Sequence, residues 1–287
     1  GDQAFMVDYG AEILFEISKC LAHRGSFIKY RNNQFCINGI CGPDEYNPIV
    51  DNNLYTNWLC RKMFYYTLDQ ANMLKDKHPS KYQELLEKCG VDDAEMNLWK
   101  RAADNMYIPY HKGLDVYMQD DKILYKDPID IDNIPVEKLP LLNHLHPLNL
   151  WRYQVIKQAD IVLLMYLCGE DFTPEMKKKV FELYEPMTIH DSSLSAGIHS
   201  IVATEIGQSE EAYGYMKQSA RMDLDNVNRN TSLGVHSACM GGTWLILTGG
   251  MAGMRLYNGE HHFNPFLPEQ WESYAFNLQF GGAKVRV

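Results

Sequence analysis

LYTNWLCRKMFYYTLDQANML, Leu54 to Leu74, sets the fold class. Leu54, Trp58, Leu59, Met63, Phe64, Leu68, Ala71 and Leu74 recur at steps of mostly three to five, close to the spacing of one face of an α-helix. Asn52 or Asn53 offers a cap ahead of this run, because a short amide side chain can accept from the first free N–H groups. Pro79 ends the pattern. The same spacing recurs upstream in Phe5, Met6, Tyr9, Ile13, Leu14, Ile17 and Leu21. Further amphipathic segments lie near 80–88, 92–107, 148–168, 173–184, 193–206, 209–223 and 233–253. About nine helices with short connections predict a mainly α chain of antiparallel helix pairs.

Little else interrupts this pattern. Ser26 to Ile40 and Asp121 to Tyr125 read as short strands, the first around an RNNQ turn. Residues 126–147 form a long, proline-bearing connection. Beyond Pro268, alternation around Gly281-Gly282 predicts two β-strands, so the reading divides the chain into 1–266 and 267–287.

Bulk composition excludes several function classes. Of 287 residues, 46% are hydrophobic and 22% charged, which suits a globular domain with a large core. A net charge of −10 disfavours a nucleic-acid backbone or an anionic membrane as partner. No apolar run reaches the roughly 18–20 residues a membrane helix needs. The seven cysteines lack ligand spacing and read as reduced thiols, which points to the cytoplasm. The opening GDQAFMVDYG has no initiator Met, so the chain is expected to be a piece of a longer protein.

Four stretches carry candidate chemistry. In CGPDEYNPIVDNN, 41–53, Asp44 and Glu45 stand side by side among amides and aromatics. On a turn their side chains diverge, so one could bind a hydroxyl while the other delivers a proton; turn formation and helix capping explain the same residues. Lys157 and Gln158 sit in WRYQVIKQADIVLLMYL, read as one buried helix in which both need partners. In YEPMTIHDSSLSAGIHS, 184–200, Ser192 and Ser193 precede a helix whose free N–H groups suit an anion, although an over-provided cap looks the same. In GVHSACMGGTW, 234–244, His236 falls in the first turn of a helix of small residues. His144, His146, His261 and His262 lack partners at ligand spacing, so no metal is expected.

Taken together and in this order, GPDEY…VDNNLYTN, KQAD, HDSSLS…HS and GVHSACMGGTW resemble the catalytic domain of glycoside hydrolase family 65. The resemblance runs from about residue 2 to the end. It implies an (α/α)6 barrel, incomplete on its N-terminal side, followed by the start of a small C-terminal β-domain. It also implies inverting phosphorolysis of an α-glucosidic disaccharide to β-glucose 1-phosphate and a free sugar. Glu45 matches the general acid, Lys157 and Gln158 the residues that hold the glucose, with Asp44 positioning. Ser192, Ser193 and His236 match the phosphate pocket. The implied partners are sugar and inorganic phosphate as co-substrate, with no cofactor, in a homodimer of the full-length enzyme. Asn47 departs from the histidine usual after GPDEY. The family's upstream Trp-Asp-Glu element is not in this sequence.

One carboxyl suffices for this chemistry because phosphate is already an anionic nucleophile, whereas inverting hydrolysis needs a second as base. Asp191 would repel phosphate, so it is expected to turn toward His190 or a backbone N–H. Hydrolysis by the same family and a non-catalytic carbohydrate-binding fragment are the alternatives.

Overall fold

The computed structural model describes residues 2–257 and 259–287. They form two compact units, residues 2–42 with 47–124, and residues 43–46 with 125–257 and 259–287.

In the first unit, helix α1 (Ala11–Arg24) continues a π-turn over Met6–Gly10. A hairpin follows, β1 (Ser26–Ile28) against β2 (Gln34–Cys36), with Phe27 opposite Phe35. Asn32 and Asn33 turn it at φ 55° and 56°, a left-handed backbone that asparagine tolerates better than most side chains. Helix α2 (Leu54–Lys77) starts where its sequence says, with the Asn53 side chain accepting from the Thr56 N–H at 3.0 Å. Pro79 does not merely end α2; it is the first residue of α3 (Pro79–Cys89), where a missing N–H costs nothing. Gly90, at φ 60°, closes α3, and Asp92 caps α4 (Asp93–Asp104). The core joins α1, α2 and α4 through Phe15, Phe64, Leu74 and Trp99. Phe15 meets Trp99 edge-on at 5.5 Å.

The strand expected at Asp121–Tyr125 is absent. The Asp120 carboxylate accepts from the Lys122 and Ile123 N–H groups at 2.7 and 2.9 Å, which curls Ile123–Tyr125 into a 3-10 turn. The short pairing lies just upstream, between β3 (Tyr110–His111) and β4 (Val116–Tyr117).

In the second unit, residues 126–146 run as loops and 3-10 turns to α5 (Pro147–Leu150). Helices α6 (Asp160–Leu167), α7 (Pro174–Tyr184), α8 (Ser195–Glu205), α9 (Ser209–Ala220) and α10 (Ser237–Leu245) follow. Helix α10 runs on into a π-turn over Ile246–Met251. Three residues link α8 to α9, and the buried Ser200 hydroxyl donates to the Ala212 carbonyl at 2.7 Å. Ile201, Met216, Ile246 and Met251 form the core between them. Two hairpins end the chain: β5 (Arg255–Tyr257) with β6 (Glu260–His262), and β7 (Asn277–Phe280) with β8 (Ala283–Arg286). Gly281 and Gly282, at φ 56° and 82°, turn the last one as expected.

The single helix expected over 148–168 is broken. Residues 151–159 are not helical, so Lys157 and Gln158 lie on a loop that leads into α6. Tertiary partners take its backbone groups. The Ile156 N–H donates to the Met187 carbonyl at 2.8 Å, and the Ile156 carbonyl accepts from Ile189 at 2.9 Å. The β-branched pair Val155-Ile156 suits that extended pairing better than a helix. The protein is thus mainly α-helical with short C-terminal strands, and among the described residues no helix is long and apolar enough to cross a membrane.

Candidate active site

The segment 43–46 is fastened to the second unit at several points. The Asp44 side chain is 1% exposed, and its Oδ1 accepts from the N–H groups of Tyr46 and Lys157 at 3.1 and 2.9 Å. The Asp44 N–H donates to the carboxylate of Asp160, the first residue of α6, at 2.6 Å. Gln158 Nε2 donates to the Pro43 carbonyl at 2.6 Å. The phenol of Tyr46 is buried; its hydroxyl donates to Asp191 and accepts from the Leu141 N–H at 2.8 Å. Burial and the neighbouring Asp191 carboxylate push that hydroxyl far above the ordinary tyrosine range.

Between these two anchors Glu45 is left 60% exposed, and its carboxylate meets the Lys157 ammonium, itself only 21% exposed. Neighbouring residues on a turn point apart, and here one acid is locked inward while the other faces solvent. The structure therefore brings Asp44, Glu45, Lys157 and Gln158 together.

The other predicted residues are more dispersed. Ser192 and Ser193 are half-buried just ahead of α8; Ser192 Oγ accepts from the Leu194 N–H at 3.3 Å, and no side chain caps the helix. Asp191 is directed at Tyr46 and, at 3.3 Å, the Leu141 N–H. His236 stands immediately before α10, where Asp223 accepts from its ring at 2.6 Å and from its backbone N–H at 2.9 Å. These bonds, the ring's first, hold the Asp223 carboxyl below its usual range. His236 lines a cavity of about 260 Å³ with Ser219 and Cys239. A larger cavity, about 500 Å³, is lined by Pro43, Gln158, Ser195 and His199, with Ala238 and Gly241 from α10.

Composition gave no warning of a half-buried group behind the serines. Glu185 accepts at Oε2 from His199 Nδ1, 2.5 Å away, and at Oε1 from His190 Nε2, at 3.1 Å, and from the Tyr215 hydroxyl. His190 Nδ1 lies 2.9 Å from Ser195 Oγ. Burial alone would raise the Glu185 carboxyl, but the two imidazoles outweigh it and hold it at about 2. Burial pushes the His199 imidazole down. The donor atoms of Glu185, His190 and His199 lie within 4.8 Å of one another, the one such group among the described residues. The carboxylate accepts from one nitrogen of each ring. His190 and the YEP motif were in view in the sequence; their meeting with Tyr215 was not, because thirty residues separate Glu185 from its phenolic partner.

Residues 1–245 match the glycosyl hydrolase family 65 central catalytic domain, and residues 254–287 match the C-terminal domain of that family. The chain belongs to glycosyl hydrolase family 65. It is similar over its whole length to an α,α-trehalose phosphorylase from Thermoanaerobacter brockii, at 48% identity, and to a maltose phosphorylase from Bacillus subtilis, at 36%. It spans 37% of the length of each of these relatives. A solved structure described as a putative kojibiose phosphorylase from the human microbiome superposes with a TM-score of 0.91 at 32% identity, covering all of this chain and 39% of that one. The family 65 assignment applies to both halves of the site: the segment 43–46 and the serine-rich head of α8 fall within the matched catalytic domain.

Proposed function

We propose that this chain carries the acid and anion-binding half of an enzyme that cleaves an α-glucosidic disaccharide with phosphate and inverts the anomeric centre. The observation that carries the reading is the split between the paired acids. Asp44 is immobilised, whereas Glu45 is presented to solvent on a backbone that Asp44, Gln158 and Tyr46 hold still. Glu45 would give its proton to the glycosidic oxygen as the bond from C1 breaks. A phosphate oxygen would form the new bond to C1 from the opposite face, so the products are β-glucose 1-phosphate and a free sugar. Lys157 must leave the Glu45 carboxylate for this to occur, and sugar hydroxyls are suitable new acceptors for its ammonium.

Ser192, Ser193 and the first N–H groups of α8 would hold the phosphate, with His236 as a further donor. Asp191, the acid in that stretch, is engaged by Tyr46 and Leu141, which removes the nearest candidate for the base of a hydrolase. The named relatives are phosphorylases, and the 48% match makes α,α-trehalose the first substrate to try. Maltose, kojibiose and nigerose follow. Asn47, buried beside the acid in sequence, would bear on that choice of substrate.

The test is to graft this chain in place of the matching segment of the Thermoanaerobacter brockii enzyme and assay it beside the isolated chain. Glucose 1-phosphate that appears only with phosphate, and is lost in Glu45→Gln, is the expected result. Glucose release without phosphate would instead establish a hydrolase. A graft inactive on every disaccharide would favour a binding role.

A further inference from the structure

Glu185 collects three donors, but its two imidazoles have different outlets. His199 ends there: its Nε2 is buried with no hydrogen-bond partner among the described residues. His190 passes the contact on. Its Nε2 faces Glu185 and its Nδ1 faces Ser195 Oγ at 2.9 Å. The Ser195 N–H in turn donates to the Ser192 carbonyl at 3.1 Å. A carboxylate can only accept, so both rings must direct an N–H at it. In the neutral imidazole the His190 proton is thereby fixed on Nε2, and its Nδ1 lone pair takes the hydroxyl proton of Ser195. His190 is held in a left-handed backbone at φ 56°, a conformation unusual for a side chain of this size.

We infer that Glu185 is a positioning residue which, through the tautomer of His190 and the hydroxyl of Ser195, sets the Ser192–Ser195 turn at the head of α8 for an anion. This rests on the proposed phosphate site, but its first test does not. Glu185→Gln replaces one acceptor oxygen with an NH2 donor. If that group faced His199, the ring proton would move to the buried, partnerless Nε2. If it faces His190, the proton moves to Nδ1, where the Ser195 oxygen can accept it, and the Tyr215 oxygen can also accept from the amide. Only the first arrangement places a buried ring N–H where no acceptor lies among the described residues, so His190 is the ring that inverts.

Long-range proton–nitrogen NMR on the chain at mildly alkaline pH reads both tautomers directly. The wild type should show Nε2–H on His190 and Nδ1–H on His199, and Glu185→Gln should invert His190 alone. Inorganic phosphate, titrated by calorimetry, should bind about tenfold more weakly to Glu185→Gln and to Ser195→Ala. Tyr215→Phe, which removes the third donor but neither imidazole, should retain the tautomers and the affinity; a purely structural role would lower all three alike. An Nδ1–H tautomer of His190 in the wild type, or a Glu185→Gln variant with unchanged tautomers, overturns the inference. So do inverted tautomers with undiminished phosphate affinity. A wild type that binds no phosphate refutes the anion site instead, and the tautomer result then decides the role of Glu185 by itself.

Discussion

Replacing Asp44 with alanine removes one oxygen that two backbone N–H groups share, those of Tyr46 and Lys157, at 3.1 and 2.9 Å. The side chain is 1% exposed, so water cannot take over without local opening. A buried donor left unpaired costs about 1–3 kcal/mol, and two give about 2–6. Relief of the neighbouring Asp160 carboxylate, which accepts from the Asp44 N–H, offsets part of this. The net loss is then about 2–4 kcal/mol. Asp44→Asn retains an acceptor oxygen but not its charge, so it should lose roughly half as much. Chemical denaturation followed by circular dichroism measures the difference. Hydrogen exchange at the Tyr46 and Lys157 amides reads the same two bonds directly, and their protection should fall roughly hundredfold in Asp44→Ala. A variant within about 0.5 kcal/mol of the wild type, with both amides still protected, would refute the claim that Asp44 fixes the segment bearing Glu45.

Three further outcomes follow from the packing. Glu205→Ala strands Lys177 and Arg255, 7% and 10% exposed and held at 2.9 and 2.5 Å; a loss of about 3–5 kcal/mol in thermal or denaturant unfolding is expected. Trp99→Ala empties the centre of the first unit and should cost about 3–5 kcal/mol, visible as lost exchange protection in α1, α2 and α4. Acid should destabilise the second unit in two stages. The unfolded chain protonates more readily than His199, whose folded value lies below 6.5, so loss begins as the pH falls below 6.5. Glu185, ordinary value 4.5 and about 2 when folded, adds stability that is complete above 4.5 and is lost between there and about 2. A melting-temperature profile should show both, and Glu185→Gln should flatten the lower stage.

How far the sequence could be read depends on where each backbone group finds its partner. Helix α2 was legible because Asn53, the apolar spacing and Pro79 all lie within one continuous stretch and agree. The segment 151–159 was misread because its apolar residues satisfy a helical pattern, while its N–H and C=O groups pair with Asp44, Met187 and Ile189, all remote in sequence. The strand at 121–125 failed for a local reason, the side chain of Asp120 competing for the backbone. The motifs named Glu45 and Lys157 separately, and their pairing is a product of the fold; Ser192 and Ser193 lie just ahead of a helix start, as their place in the sequence predicts. The Glu185 hub escaped because hydrogen bonds to a half-buried carboxylate leave no periodic trace, and Tyr215 looks like any other helical tyrosine.

The larger cavity is walled in part by Gly241 and Gly242 on α10, and a methyl group added to either meets no atom within 4 Å. Packing therefore does not demand glycine at these positions. Alanine there would favour the helix by about 0.5–1 kcal/mol each. A chain tuned for stability alone would have filled this wall; its bareness is measurable reserve space. Lengthening these two side chains one carbon at a time turns α10 into a ruler, on which the size of whatever enters beside Gln158 and Ser195 can be read from the first substitution that it no longer tolerates.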